Sequence, residues 1–449
     1  MGNSLNTQLL ARDHRHLVHS LHSEQIHLDG KLWVRGEGCE LIDADGGRFI
    51  DAMSGLWNVT LGYSQPTLVQ AAATQMTTLA YASGYSGNSN LRAMELGERL
   101  AALTYPNINR FFFTSGGGES TDSTIKTARY YWKALGKPGK FKTISLTGGY
   151  HGTTLGAMCA TGLPGYWPSF EPRMPGFVHI PNHDQYRYTV APGQDPATAA
   201  ADELERAILA EGADSVALFL IEPVCGGGAY VPPSGYFKRI REICDKYDVL
   251  LAVDEVITGF GRTGRMFALE HWGIQPDLMQ FAKGITSGYL PLGGIGLSDR
   301  VADVFDQAGS IPWMHCYTYS GHPVACAVAL ATIDVIERNQ LVAAAQTRGA
   351  QLLAGLRAAL GSHAHVGDIR GLGLIAAVEL VQDRTSKAMF DGSRQIGPAV
   401  IAEARRRGLI TRGRGDTIYL GPALVMPEPM VTRVIEIIAA AVQTVLPAA

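Results

Sequence analysis

The chain has 449 residues, is 46% hydrophobic and 18% charged, and carries a formal net charge of −3. That is an ordinary soluble globular composition, with length for two domains and a large core. The charge excludes strong electrostatic attraction to nucleic acid or to an acidic membrane, and no apolar run approaches the length of a membrane span.

The N-terminus is polar, carries His14, His16, His19, His22 and His27, and does not read as a signal peptide. The spacing of these histidines fits no usual ligand pattern and no cysteine or acid completes one, so no metal site is expected. Six scattered cysteines, Cys39, Cys159, Cys225, Cys244, Cys316 and Cys326, form no Cys-x-x-Cys and read as reduced thiols of a cytoplasmic protein. Residues 1–30 read as helical and peripheral. A small meander of short strands follows over 36–52, with Asp45-Gly46-Gly47 as its turn. Ser54-Gly55-Leu56-Trp57-Asn58 opens a glycine-punctuated loop. Helices are expected from 66 to about 79 and over 90–103, separated by an irregular aromatic stretch over 81–87 that contains Tyr85.

Residues 110–330 alternate strands and helices, the pattern of a doubly wound parallel sheet. A strand over 110–114 enters Ser115-Gly116-Gly117-Gly118-Glu119-Ser120, and a helix over 121–135 follows. Glycines between a strand and a helix N-terminus let backbone N–H groups crowd a phosphate, assisted by the helix dipole. The loop has neither Gly-Lys-Ser/Thr nor the dinucleotide glycine spacing. The next strand, over 141–146, ends at Gly148-Gly149-Tyr150-His151-Gly152, where Tyr150 can stack on a flat ring and His151 is a weaker candidate for contact. A long loop over 165–194 and a helix over 199–209 precede a strand over 216–221. That strand ends in Glu222-Pro223, before Gly226-Gly227-Gly228.

A helix over 236–247 leads into Val249-Leu250-Leu251-Ala252-Val253, an apolar run with no polar face that suits a strand buried on both sides. It ends in Asp254-Glu255 and is followed by the glycine-rich loop Thr258-Gly259-Phe260-Gly261-Arg262-Thr263-Gly264. A second short strand, Leu278-Met279-Gln280-Phe281-Ala282, delivers Lys283. An acid and a lysine thus stand at the C-terminal ends of two neighbouring strands, the edge where open α/β sheets bind ligands. A lysine at a dry strand end can lose its proton and form a Schiff base with an aldehyde. Pyridoxal phosphate is such an aldehyde, and an aspartate against its pyridine nitrogen keeps the ring an electron sink. Val256 faces the same side as Asp254 and can pack on the ring face opposite Tyr150. Beyond Lys283 come a glycine-rich strand over 291–297, helices over 323–337 and 340–360, strands between 366 and 380, a helix over 398–407, a strand over 417–420 and a helix from 429.

Leu251-Ala252-Val253-Asp254-Glu255-Val256, with Ala282-Lys283 and Ser287-Gly288, resembles the signature of the class III aminotransferases, and the resemblance runs from about Trp33 to the C-terminus. It implies an α/β fold type I pyridoxal-phosphate enzyme of the aspartate-aminotransferase kind. A large cofactor domain over 63–324 holds a mostly parallel seven-stranded sheet, and a smaller α+β domain is built from 1–62 and 325–449. Lys283 is implied as the catalytic lysine, and Gly117, Gly118, Tyr150, Glu222, Asp254, Val256 and Thr318 with it as cofactor-binding. The family turn usually places a serine where this chain has Gly118, so backbone N–H groups of Gly117 and Gly118, with Ser115 or Ser120, are expected to serve the phosphate. The stretch from Tyr317 to Pro323 resembles a segment that reaches across a dimer interface to the neighbour's phosphate, with Thr318 as donor. That implies a homodimer, or a dimer of dimers, with shared active sites.

Arg412 matches an arginine that binds the keto-acid carboxylate, while Arg414 is unusual there. Trp57 and Tyr85, with Tyr150, match pocket positions of the ω-amino-acid and amine:pyruvate branch. The implied reaction carries an amino group from a primary amine or ω-amino acid (β-alanine, 4-aminobutyrate, a diamine or taurine) to pyruvate in two half-reactions, with Lys283 as general base. Transfer to 2-oxoglutarate, or aminomutase or decarboxylase chemistry, shares the early steps. Outside this chemistry the alternative is a nucleotide-dependent dehydrogenase, against which the missing dinucleotide spacing argues.

Overall fold

The computed structural model describes residues 4–21, 26–27, 30–307 and 312–447. Among them seven strands form the central sheet, in the order β4 (Ile108–Thr114), β10 (Gly293–Ser298), β9 (Leu278–Phe281), β8 (Leu250–Asp254), β7 (Val216–Ile221), β5 (Lys142–Leu146) and β6 (Phe177–Ile180). Strands β5 to β9 pair in parallel, and β10 alone runs against both of its neighbours. The sheet is therefore mostly parallel, as a doubly wound topology requires.

The run Leu250–Asp254 lacks a polar face because both of its faces are covered. Leu250 and Ala252 pack in one cluster with Ile125, Ala128 and Trp132 of the helix Gly117–Ala134, and Leu251 and Val253 in the other with Phe237 and Ile240 of the helix Tyr236–Lys246. This is period-two alternation with apolar partners on both sides. Asp254 stands opposite Gln280 in the β8–β9 register, so the acid and the chain entering Lys283 leave the sheet side by side.

The first helix, Leu5–His16, ends before His19, so the N-terminal segment is helical over less of its length than its composition suggests; His22 lies outside the described residues. Strands β1 (Trp33–Glu37), β2 (Glu40–Asp43) and β3 (Arg48–Asp51) form the expected meander. Strand β13 (Leu409–Ile410) joins it in parallel beside β3, tying the start of the chain to its end. A third sheet contains β11 (Val366–Leu372), β12 (Ile375–Leu380), β15 (Thr417–Leu420) and β14 (Arg412–Arg414).

Arg262, in the glycine-rich loop after β8, locks these parts together. It is fully buried; its guanidinium donates to the Pro422 carbonyl, to Leu374 O at 3.4 Å and to Ser54 Oγ at 2.9 Å. Burial pushes it down to about 10, with only the charge of Asp51 opposing. A planar fork suits such a fan of carbonyls better than an ammonium does. Arg262→Ala leaves buried acceptors without donors and should cost about 3 kcal/mol. A thermal-unfolding comparison with wild type checks this, and an unchanged midpoint would remove Arg262 from that role.

Candidate active site

Two cavities meet at Lys283, which lines both. The inner one, about 160 Å³, is lined by Gly117, Gly118, Tyr150, Asp254 and Val256 among others. The outer one, about 250 Å³, has Trp57, Tyr150, Tyr166, Arg412 and Arg414 in its wall. Lys283 begins the turn Lys283–Thr286 at φ 47°, a left-handed conformation that costs a non-glycine residue about 1–2 kcal/mol. Its exposed surface is cavity wall, and its amine has no hydrogen bond or ion pair with any described residue. Burial pushes the ammonium below its ordinary value; the charges of Asp254 and Glu222 oppose the shift, and that of Arg412 adds to it.

At the floor of the inner cavity, Asp254 Oδ2 lies 2.8 Å from His151 Nδ1, and Oδ1 accepts from the Val256 N–H at 3.0 Å. Both side chains are buried. Burial alone pushes the His151 imidazole down, but the hydrogen bond and charge of Asp254, with the charge of Glu222, carry it above its ordinary value. Glu222 accepts from the N–H groups of Tyr150 and Gly226, both at 2.9 Å. Burial raises its carboxyl; His151 opposes that and Asp254 adds to it. Thr121 Oγ1 donates to the His151 carbonyl at 2.6 Å and receives the Gln280 amide at 2.8 Å, joining the helix start, the β5 loop and β9.

The helix expected from 121 begins at Gly117, so Gly117 and Gly118 form its first turn. Their N–H groups have no intrahelical acceptor. Close packing keeps this corner free of side chains. A Cβ at Gly152, where φ is +121°, would stand 2.7 Å from the Gly118 Cα, and one at Gly117 would stand 3.0 Å from Val256. Ser120, expected as a helper at the turn, instead points into the core, with its hydroxyl 2.8 Å from Thr114 Oγ1 and bonded to the Gly116 carbonyl. A helix residue two positions past the last glycine faces the sheet, a direction that local sequence does not fix.

The outer cavity places Trp57 as expected, buried, at φ 64°, with its indole against Gly421, where any Cβ would collide with the ring. Tyr85 is not brought there. It is exposed, with its hydroxyl 2.7 Å from Cys316 Sγ. Thr318 is exposed as well and lines neither cavity; its carbonyl accepts from the Tyr81 hydroxyl at 2.9 Å. Tyr166, whose ring is 5.8 Å from that of Tyr150, and Ile257 join the wall without having been singled out in the sequence. Tyr166 lies in a stretch with no periodicity to flag it.

The expectation that no acid completes the N-terminal histidine set is corrected. Asp13 Oδ2 lies 2.6 Å from His19 Nε2 and 3.0 Å from His27 Nε2, with the two imidazoles stacked at 3.7 Å. These three residues have the chemistry of a metal-ligand group.

The family model described as aminotransferase class-III matches residues 23–442. A putrescine–pyruvate aminotransferase of Pseudomonas aeruginosa is 37% identical over 433 residues, covering 95% of this chain and 94% of the relative. The structure of an (S)-enantioselective ω-transaminase from Thermomicrobium roseum superposes with a TM-score of 0.95 at 42% identity, over 99% of this chain and all of that one. An ω-transaminase from Pseudomonas jessenii, solved in complex with PMP, gives 0.94 at 39% identity, over 99% and 98% of the two chains.

A group whose folded-state value is raised stabilises the fold fully below its unfolded value and loses that contribution as pH rises through the folded one. The His151–Asp254 pair therefore contributes most below pH 6.5, and less as pH climbs above it. Asp254→Asn removes the main force opposing burial, so the His151 midpoint should fall relative to wild type. An imidazole NMR titration checks this; equal midpoints would uncouple the two residues.

Proposed function

This chain belongs to the class III aminotransferases, a pyridoxal-phosphate-dependent family, and we propose that it moves an amino group from a primary amine or ω-amino acid to pyruvate. One observation carries the reading. The unpaired Lys283 amine lines both cavities, so one group faces a polar slot suited to a cofactor and an aromatic chamber suited to a substrate.

The inner slot has the donor set that pyridoxal phosphate needs. A helix N-terminus with two glycine N–H groups suits the phosphate without the usual serine hydroxyl, and Thr154 fills the space beside Gly118. Tyr150 and Val256 supply the walls for the ring, Glu222 lies beyond Tyr150, and Asp254 holds a proton on the ring nitrogen. His151 keeps that carboxylate oriented from behind. When bound, the cofactor supplies an aldehyde and an electron-accepting ring. Lys283 moves the substrate proton at Nζ, and its lowered proton affinity leaves more of the amine free to act as base. Arg412 binds the carboxylate of the keto acid through a bidentate contact. Trp57, Tyr150 and Tyr166 keep water from the reacting atoms.

The same reading includes a homodimer. Tyr81, Tyr85, Met314 and Tyr319 are exposed large apolar groups close to Thr318, which lines neither of the two cavities at Lys283. A partner copy covering that face would bring Thr318, and Tyr85 with it, to a neighbouring site. The division into a cofactor domain over 63–324 and a smaller one from both ends agrees with the β3–β13 pairing. No helix among the described residues is long and apolar enough to cross a membrane, and a cytoplasmic location completes the proposal.

The visible spectrum of the cofactor-loaded protein is the direct test. The band should bleach with a primary amine or ω-amino acid and return with pyruvate, while Lys283→Ala should lose turnover by at least about a thousandfold. A band that answers only to α-amino acids would remove the proposed donors; the absence of any band after incubation with pyridoxal phosphate would remove the cofactor assignment. Gly152→Ala, which forces backbone apart at the phosphate corner, should weaken cofactor affinity by about tenfold or more in a titration of the apoprotein. An unchanged affinity would move the phosphate elsewhere.

A further inference from the structure

The outer cavity has one-sided charge. Arg412 and Arg414 are the guanidiniums in its wall, beside the Lys283 amine, and no aspartate or glutamate among the described residues lines it. Neither the Arg412 nor the Arg414 guanidinium makes a hydrogen bond or ion pair with any described residue. Arg412 and Arg414 are exposed side chains on the strand Arg412–Arg414, whereas the buried Arg262 donates to carbonyls, Arg370 pairs with Asp368 and Glu379, and Arg241 pairs with Asp277. Two unpartnered guanidiniums facing one chamber point to ligands that bring acids to them.

Their placement separates their roles. Arg412 and Arg414 flank Gly413 on β14, paired with Tyr419 and Thr417 of β15. Alternate residues of a strand emerge on one face about 7 Å apart. Arg414 lies over the strand-end loops, where a Cβ at Gly227 would stand 3.6 Å from its Nη1 and one at Gly148 4.0 Å from its Nη2. The Tyr419 hydroxyl pins that loop by donating to Gly227 O at 2.6 Å. Arg412 is placed for the keto-acid carboxylate in one half-reaction, and Arg414 for the donor's carboxylate in the other.

Building on the proposed function, we propose that Arg414 binds the distal carboxylate of an ω-amino acid donor, so that the enzyme selects ω-amino acids over neutral amines and rejects diamines. A diamine would carry its distal ammonium into a chamber with two guanidiniums and no carboxylate among the described residues. The similarity to a putrescine–pyruvate aminotransferase then does not extend to the donor.

The test uses the cofactor-loaded enzyme with pyruvate and donors of matched length: 4-aminobutyrate, butylamine and 1,4-diaminobutane, then the three-carbon and five-carbon sets. At the best length, wild type should favour the ω-amino acid over the alkylamine, with the diamine last. Arg414→Gln should cut kcat/KM for the ω-amino acid by about 10- to 100-fold, mainly through KM, the loss of one charge-assisted contact. It should leave the alkylamine and the KM for pyruvate unchanged and improve the diamine. Arg412→Gln should instead raise the KM for pyruvate. A wild-type preference for the diamine, or an Arg414→Gln variant with an unchanged acid-to-alkylamine ratio, overturns the proposal. If no donor turns over, the proposed function has failed, and the subsite is then read by butyrate binding in calorimetry. Weaker binding to the Arg412→Gln, Arg414→Gln double variant than to Arg412→Gln alone supports it, and equal binding overturns it.

Discussion

The buried pair of Asp254 and His151 is the constraint on which the site depends. Removing two charges from water costs several kcal/mol per ion, and their attraction repays that only in good geometry with the remaining donors satisfied. Here the carboxylate is fixed by the Val256 N–H, the His151 N–H donates to Thr161 Oγ1 at 2.9 Å, and the His151 carbonyl is held by Thr121. Those groups come from the loop after β5, the end of the helix Leu155–Ala160, the helix Gly117–Ala134 and the end of β8. A slip of any strand by one residue would turn the pair's supports to the wrong face. The sheet is therefore both the scaffold of the site and the condition for burying its charges.

The same economy governs the backbone around Lys283. Ser54, Trp57, Lys283 and Ser287 all adopt positive φ without being glycine. Each such conformation is tolerated because its neighbours over-determine it. The turn after Lys283 packs Ile285 into the core, and Ser287 Oγ receives the Leu61 N–H at 2.8 Å, joining the turn to the loop that carries Trp57. Strain at the lysine is thus held by a buried core on one side and by the N-terminal loop on the other. The result is an amine that opens onto two chambers at once.

The two chambers differ in what surrounds their charge. In the inner one, Asp254 and Glu222 oppose the cationic groups of Lys283 and His151, and backbone N–H groups satisfy the carboxylates. In the outer one the arginines have no such counterparts among the described residues. A polar network that is closed on itself holds a cofactor's surroundings rigid. Cations left open favour whatever anion enters, which is a basis for choosing among substrates.

Much of this architecture was legible in the amino-acid sequence. The continuous apolar run of β8, the glycines before the helix at Gly117, the acid at Asp254 and the lysine after β9 follow from local patterning: side-chain period, the steric freedom of glycine, and what stands next to what along the chain. Those are near-neighbour effects that a few residues encode. The His151–Asp254 contact joins residues 103 positions apart, and it required knowing that the β5 loop reaches the end of β8. That Ser120 faces the core and that Asp13 meets His19 and His27 depended likewise on packing. Sequence by itself determined the elements and the chemistry available at their ends. The tertiary structure decided which of those groups meet, because a side chain's partner is set by which strand lies beside it and which rotamer the core leaves room for.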